Sequence, residues 1–142
     1  MLELTRALPA SRPVVFAALT DPSSLTEWWG PEGFEIPDVR FEARVGKGYR
    51  IEMQPPGGAA FHLTGAFREV EPPVRLAYTF EWEEPDPDDV ETLVTLTLRD
   101  LAGSTEVALA QGPFRTEPRR ALHRDGWTES LTKLERYLES RP

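Results

Sequence analysis

Side chains able to do covalent or acid–base chemistry are scarce in this chain. It has two histidines, His62 and His123, and no cysteine, which excludes disulfides, thiolate nucleophiles and thiolate metal sites. His62 stands in Ala60-Phe61-His62-Leu63-Thr64, on the strand face opposite Phe61 and Leu63, and is expected to face solvent. His123 follows Leu122 and precedes Trp127 by four residues on a helical segment, where it could touch the mouth of a cavity. A general base needs an orienting partner within hydrogen-bond reach, and the pattern around neither histidine supplies one. The two lie on separate elements without HExxH-type spacing, so no zinc site is expected. Gly-x-Ser-x-Gly is absent, and Ser11, Ser23 and Ser24 read as helix caps or first-turn residues. Gly46-Lys47-Gly48 is too short for a phosphate loop and reads as a hairpin turn. No catalytic residue, metal or cofactor is expected, and an enzymatic role ranks below binding roles.

Seven acids fall in the eleven residues Glu81 to Glu91. Pro85 and Pro87 and the lack of the required glycine and terminal glutamate argue against a calcium loop. The segment is expected to be a solvated hairpin tip that supplies much of the formal charge of −8. That charge argues against binding to a phosphate backbone, which needs clustered Lys and Arg. The one dense basic group, Arg115, Arg119, Arg120 and Arg124, reads as the solvated face of a helix start.

Large rings are the richer signal. Glu27 to Phe34 reads Glu-Trp-Trp-Gly-Pro-Glu-Gly-Phe, which places Trp28, Trp29 and Phe34 around a turn. One member of an adjacent Trp pair can bury while its neighbour points elsewhere. With Trp82 and Trp127 further on, the rings are enough to line a cavity for an apolar or amphipathic small molecule. The candidate lining is Trp28, Trp29, Phe34, Met53, Phe61, Tyr78, Phe80, Trp82, Phe114 and Trp127, with Gln111 and His123, beside Tyr78, as polar groups.

The elements that must position these residues follow from periodicity. Leu2 to Ala7 alternates like a strand and Pro9 breaks it. Ser11 with Arg12-Pro13 opens a helix to about Thr20, and a second short helix, capped by Asp21 or Ser23, runs to Glu27-Trp28. Period-two alternation then predicts strands at 34–42, 48–54, 60–70, 74–83, 91–100 and 104–111, separated by Gly, Pro and acidic turns. One face of each is apolar, as in an antiparallel sheet covered on one side. Thr116 or Glu117 caps a last helix reaching about Ser140, with Leu122, Trp127, Leu131, Leu134 and Leu138 as its apolar stripe. Gly126 inside that helix implies close backbone approach or room for a ring. The expected fold is α+β: a curved antiparallel sheet around a long C-terminal helix, in one domain over 1–142. A gap between sheet and helix would be closed at one end by the two short helices.

This order of elements resembles the START-like (SRPBCC) superfamily and its helix-grip fold, and within it the proteins related to the activator homologue of heat-shock-protein-90 ATPase. The resemblance rests on Pro13 with Val15-Phe16, Leu25-x-x-Trp28-Trp29-x-Pro31, Asp38-Val39-Arg40 with Val45-Gly46-Lys47-Gly48-Tyr49, Gly65-x-Phe67-x-Glu69-Val70-x-Pro72-Pro73-x-x-Leu76, and Gly126-Trp127-x-x-x-Leu131-x-x-Leu134. Many relatives carry paired glycines where this chain has Gly46-Lys47. The resemblance implies ligand binding, a chaperone-associated role in stress response, or cyclase- or hydrolase-like activity.

No stretch approaches the length of a membrane span, and the apolar run Val14 to Leu19 is too short for a signal peptide, so the cytoplasm is the expected location. Lysine occurs only at Lys47 and Lys133 and asparagine is absent, which suits a GC-rich, thermophilic source. The open edges of such a sheet leave homodimer formation undecided.

Overall fold

The computed structural model describes residues 1–140. Strand β1 (Leu2–Leu8) is followed by helices α1 (Arg12–Thr20) and α2 (Pro22–Trp28). Six strands come next: β2 (Glu35–Phe41), β3 (Gly48–Gln54), β4 (Phe61–Glu71), β5 (Arg75–Trp82), β6 (Thr92–Asp100) and β7 (Thr105–Gly112). Helix α3 (Glu117–Glu139) is the last element among the described residues. All neighbouring strands are antiparallel, in the order β1-β7-β6-β5-β4-β3-β2. The meander β2–β7 thus forms one run, and β1 returns to pair with β7, leaving β1 and β2 as edges of an open, curved sheet. The fold is α+β, as the sequence periodicity predicts.

Local chemistry accounts for the boundaries. The Asp21 side chain accepts from the Ser23 backbone N–H at 3.2 Å and from Ser23 Oγ at 3.0 Å, so Asp21, rather than Ser23, caps α2. Thr116 caps α3 by accepting from the Arg119 N–H at 3.4 Å. Ser11 occupies the cap position of α1 without a side-chain hydrogen bond. Pro sits in the first turn of all three helices, where a missing N–H costs nothing.

The sheet curls at register shifts in β4 between Phe67 and Glu69 and in β2 between Glu35 and Asp38, as bulges increase local twist. Beside the β4 shift, Thr79 Oγ1 accepts from the Ala66 N–H at 2.8 Å. Thr79 and Ala77 are buried, although alternation puts both on the polar face of β5; both lie close to the shift. Gly65 is required here, because a Cβ would lie 2.0 Å from the Thr79 carbonyl oxygen and 2.5 Å from Tyr49 Cε2. The Tyr49 ring crosses that position and its hydroxyl donates to the Thr79 carbonyl at 2.6 Å.

The interior divides in two. Phe41, Tyr49, Phe67 and Tyr78 pack edge-on or tilted, with centroids 4.9–5.9 Å apart, and fill one half of the concave face. Over the other half lies the N-terminal part of α3. The buried stripe of α3 is His123, Trp127, Leu131, Leu134 and Leu138, and Leu122 is 54% exposed. Four residues back from Trp127 is His123, on the same face; five residues back lies well round the helix, so His123 takes the place expected of Leu122. The three buried leucines, worth about 1.5–3 kcal/mol each, anchor the C-terminal half of α3 near α2 and β1. No described helix is long and apolar enough to cross a membrane.

Candidate functional site

Under the N-terminal half of α3 the interior is left unfilled. A pocket of about 770 Å³ opens there, walled by Trp29, Phe34, Met53, Phe61, Phe80, Trp82 and Trp127. Its rings form a continuous chain: Phe34 meets Phe61 at 6.0 Å, Phe61 meets Trp82 at 5.3 Å, and Trp82 meets Phe80 at 5.2 Å between centroids. Trp29 stands edge-on to Trp127 at 5.3 Å.

The adjacent tryptophans part as their geometry demands. Trp28 is buried in the corner between α1 and α2, its indole N–H donating to the Ala18 carbonyl at 2.9 Å. Trp29 leaves the helix end toward the pocket. The turn that follows is stapled to α3 by Lys133, whose ammonium donates to the carbonyls of Trp29, Gly30 and Pro31 at 3.1, 3.1 and 3.4 Å. Partial burial lowers the Lys133 pKa from its usual value.

Most of the polar groups in and behind the pocket wall are already engaged. Trp127 Nε1 donates to Gln111 Oε1 at 2.7 Å, and Gln111 Nε2 donates to Thr92 Oγ1 at 2.9 Å. Trp82 Nε1 donates to His123 Nε2 at 3.0 Å. An indole can only donate, so His123 Nε2 is the acceptor and the proton sits on Nδ1, which donates to the Arg119 carbonyl at 2.6 Å. Burial disfavours the charged ring and lowers its pKa. Ser130 Oγ donates to the Gly126 carbonyl at 2.9 Å. Among the described residues, no buried side-chain nitrogen or oxygen lacks a partner. A guest would meet ring faces, ring edges and a thioether.

Four of the expected lining residues lie elsewhere. Trp28 is sealed in the helical corner, and Tyr78 belongs to the filled half, where burial pushes its pKa up. Gln111 is fully buried behind Trp127 and reaches the pocket only by orienting that indole. Phe114 packs on His123, centroids 5.0 Å apart, and borders a separate crevice of about 10 Å³.

The acidic segment between β5 and β6 is more than a solvated tip. Glu84, Pro85, Asp86 and Asp89 form one lip of the pocket, facing Asp125, Gly126 and Glu129 of α3. The Asp89 carboxylate, 8% exposed, receives both arms of the Arg119 guanidinium at 2.7 and 3.0 Å. Arg119 is therefore a tie between loop and helix, where the sequence suggested a solvated charge. At the loop's base Arg50 grips Glu83 with two hydrogen bonds at 2.7 and 3.0 Å. His62 Nδ1 lies 2.7 Å from Glu84 Oε2, and the His62 N–H donates to the same carboxylate. His62 is thus half-buried rather than free in solvent. The donor atoms of His62, Glu83 and Glu84 fall within 4.8 Å of one another, but both carboxylates are committed, and these hydrogen bonds hold their pKa values down.

Gly126 makes no close backbone approach. The nearest atom to a Cβ built there is Pro31 Cγ at 4.0 Å, so the glycine leaves open space at the pocket wall. The rim acids, Arg119 and the Lys133 staple had no distinctive motif. The available signals were a lysine in a chain with only two, and prolines bracketing the acids.

Solved structures of similar proteins share this architecture. A structure from Rhodobacter sphaeroides is 30% identical, covering 99% of this chain and 93% of its own, with a TM-score of 0.84. The AHSA1 protein from Silicibacter pomeroyi is 27% identical, covering 99% of both chains, with a TM-score of 0.87. A Chromobacterium violaceum protein is 29% identical over 97% of this chain and 96% of its own, with a TM-score of 0.82. No protein of curated function matches. Residues 9–139 match the model of the family described as activator of Hsp90 ATPase homolog 1-like protein, and the chain belongs to that family, in keeping with a START-like (SRPBCC) fold.

Proposed function

We propose that this domain binds a small molecule with a largely apolar body in the pocket under α3, as a non-enzymatic carrier or receptor. The observation that carries the proposal is the pocket itself: about 770 Å³, walled mostly by apolar side chains and open between two lips. That volume lies within the range typical of small-molecule sites, about 300–1,000 Å³. Filling it would cover apolar wall at roughly 25 cal/mol per Å². Away from the carboxylates at the mouth, proton-transfer chemistry has little to work with, since both ring nitrogens of His123 are hydrogen-bonded and Tyr78 is sealed in the filled half. The experiment is a titration of delipidated protein with Nile red, an uncharged apolar dye. Saturable enhancement at one dye per chain is expected; absence of saturable binding would refute the proposal.

The family description favours a second reading, association with an Hsp90-type chaperone. Co-sedimentation with a purified chaperone of that type separates the two: a chaperone-docking module would bind with the pocket blocked, and a carrier would not need the chaperone.

A further inference from the structure

The pocket's charge is distributed in one direction only. Its wall is mostly apolar, and the indole N–H groups of Trp127 and Trp82 are spent on Gln111 and His123. Its mouth carries Glu84, Asp86, Asp89, Asp125 and Glu129 against a single lining cation, Arg119. Asp89 already neutralises Arg119, and nearby Lys133 is turned onto backbone carbonyls. Arg136 is paired with Glu32. Glu84 is hydrogen-bonded to His62 and Glu129 accepts from the Glu32 N–H, and two further exposed acids, Asp86 on the loop lip and Asp125 on the helix lip, form no ion pair among the described residues.

We infer that the guest is a cationic amphiphile, an apolar chain or ring system ending in a protonated amine. This rests on the pocket being a binding site. The body lies against the wall of rings, and the ammonium end sits between the two acidic lips. Ring faces near the mouth favour a cation as well, whereas a carboxylate-ended molecule of the same size would meet repulsion from both lips. The chain's net charge of −8 adds attraction at long range.

Three probes with one ten-carbon chain and different ends test this: decylammonium, decanol and decanoate, titrated at pH 7.5 and followed by the fluorescence of the wall tryptophans. Decylammonium should bind roughly tenfold more tightly than decanoate at low ionic strength, with decanol between them; at about 0.5 M salt the spread should shrink, as expected for exposed charges. The variant combining Asp86→Asn and Asp125→Asn should lose most of that spread while keeping its affinity for decanol. Asn at 86 can still accept from the Asp88 N–H, which Asp86 receives at 3.1 Å, so the loop turn is retained. Equal affinity for all three probes, or tighter binding of decanoate, overturns the inference and leaves the pocket reading standing. Failure of all three to bind overturns both.

Discussion

Gly126 offers a direct test of the space under α3, because two substitutions there should move stability and binding in different ways. Glycine in a helix interior costs about 0.8–1 kcal/mol relative to alanine. A Cβ at this position meets only Pro31 Cγ, at 4.0 Å, an ordinary van der Waals distance. Gly126→Ala should therefore gain most of the propensity difference, about 1 kcal/mol, with no steric penalty. For a chain of 142 residues that raises Tm by about 3–5 °C. Gly126→Phe should keep the fold, since the ring has open volume to enter, but it would stand inside the pocket beside Trp29 and Trp127. Nile red affinity should fall at least tenfold, about 1.4 kcal/mol. Thermal unfolding by circular dichroism and dye titration on the same samples read both effects. A lower Tm for Gly126→Ala would mean that α3 sits closer to the Pro31 turn than the structure has it. A folded Gly126→Phe protein with undiminished dye binding would place the guest elsewhere.

Three further outcomes follow from the same geometry. Gly65→Ala forces a methyl to within 2.0 Å of the Thr79 carbonyl and 2.5 Å of the Tyr49 ring; overpacking together with loss of the Tyr49 hydrogen bond should cost about 2–4 kcal/mol in urea unfolding, and a loss under about 1 kcal/mol would show the strand relaxing freely. Gln111→Leu strands the buried Trp127 indole N–H and should lower stability by about 1–3 kcal/mol, while unchanged stability would mean that the indole finds another acceptor. For His123 the folded pKa lies below the usual value of about 6.5, so its contribution is complete above that pH and is lost as pH falls through the lowered folded value. The unfolding free energy of wild type relative to His123→Gln should accordingly fall between pH 7 and pH 5, and a flat difference would refute the assignment.

Fold was legible in the chain because each strand alternates cleanly and each helix begins at a Ser, Asp or Thr followed by Pro. Strand ends at Phe41, Gln54, Trp82 and Asp100 lie within a residue of those read from turn chemistry. Faces were harder where the chain departs from ideal geometry: Ala77 and Thr79, on the polar face by alternation, are buried beside the β4 register shift. The site was legible in type and less so in membership. Alternation groups Tyr78, Phe80 and Trp82 on one face, yet it does not say where along that face the interior stops being filled. That depends on Phe41, Tyr49 and Phe67 converging from three other strands. Nor can composition distinguish a solvated acid from Asp89, whose burial depends on an arginine thirty residues later.

The division of the interior explains how a small domain can carry an unfilled pocket without collapsing it. Leaving wall atoms without contacts is unfavourable, and a helix free to settle would slide inward to close the gap. Here α3 is fixed toward both ends. Leucines 131, 134 and 138 bury its C-terminal half. Lys133, among them, holds the Trp29–Pro31 turn, and the Arg119–Asp89 fork ties the first turns to the loop after β5. Inward movement of the N-terminal half would break the Arg119 fork, leaving a nearly buried carboxylate unpaired, and would disturb the Trp82–His123 and Gln111–Trp127 hydrogen bonds. Each unsatisfied buried group costs about 1–3 kcal/mol, so several lost together are comparable with the gain from covering a few apolar side chains. The pocket is held open by polar ties at its edges, and its walls remain free to be apolar.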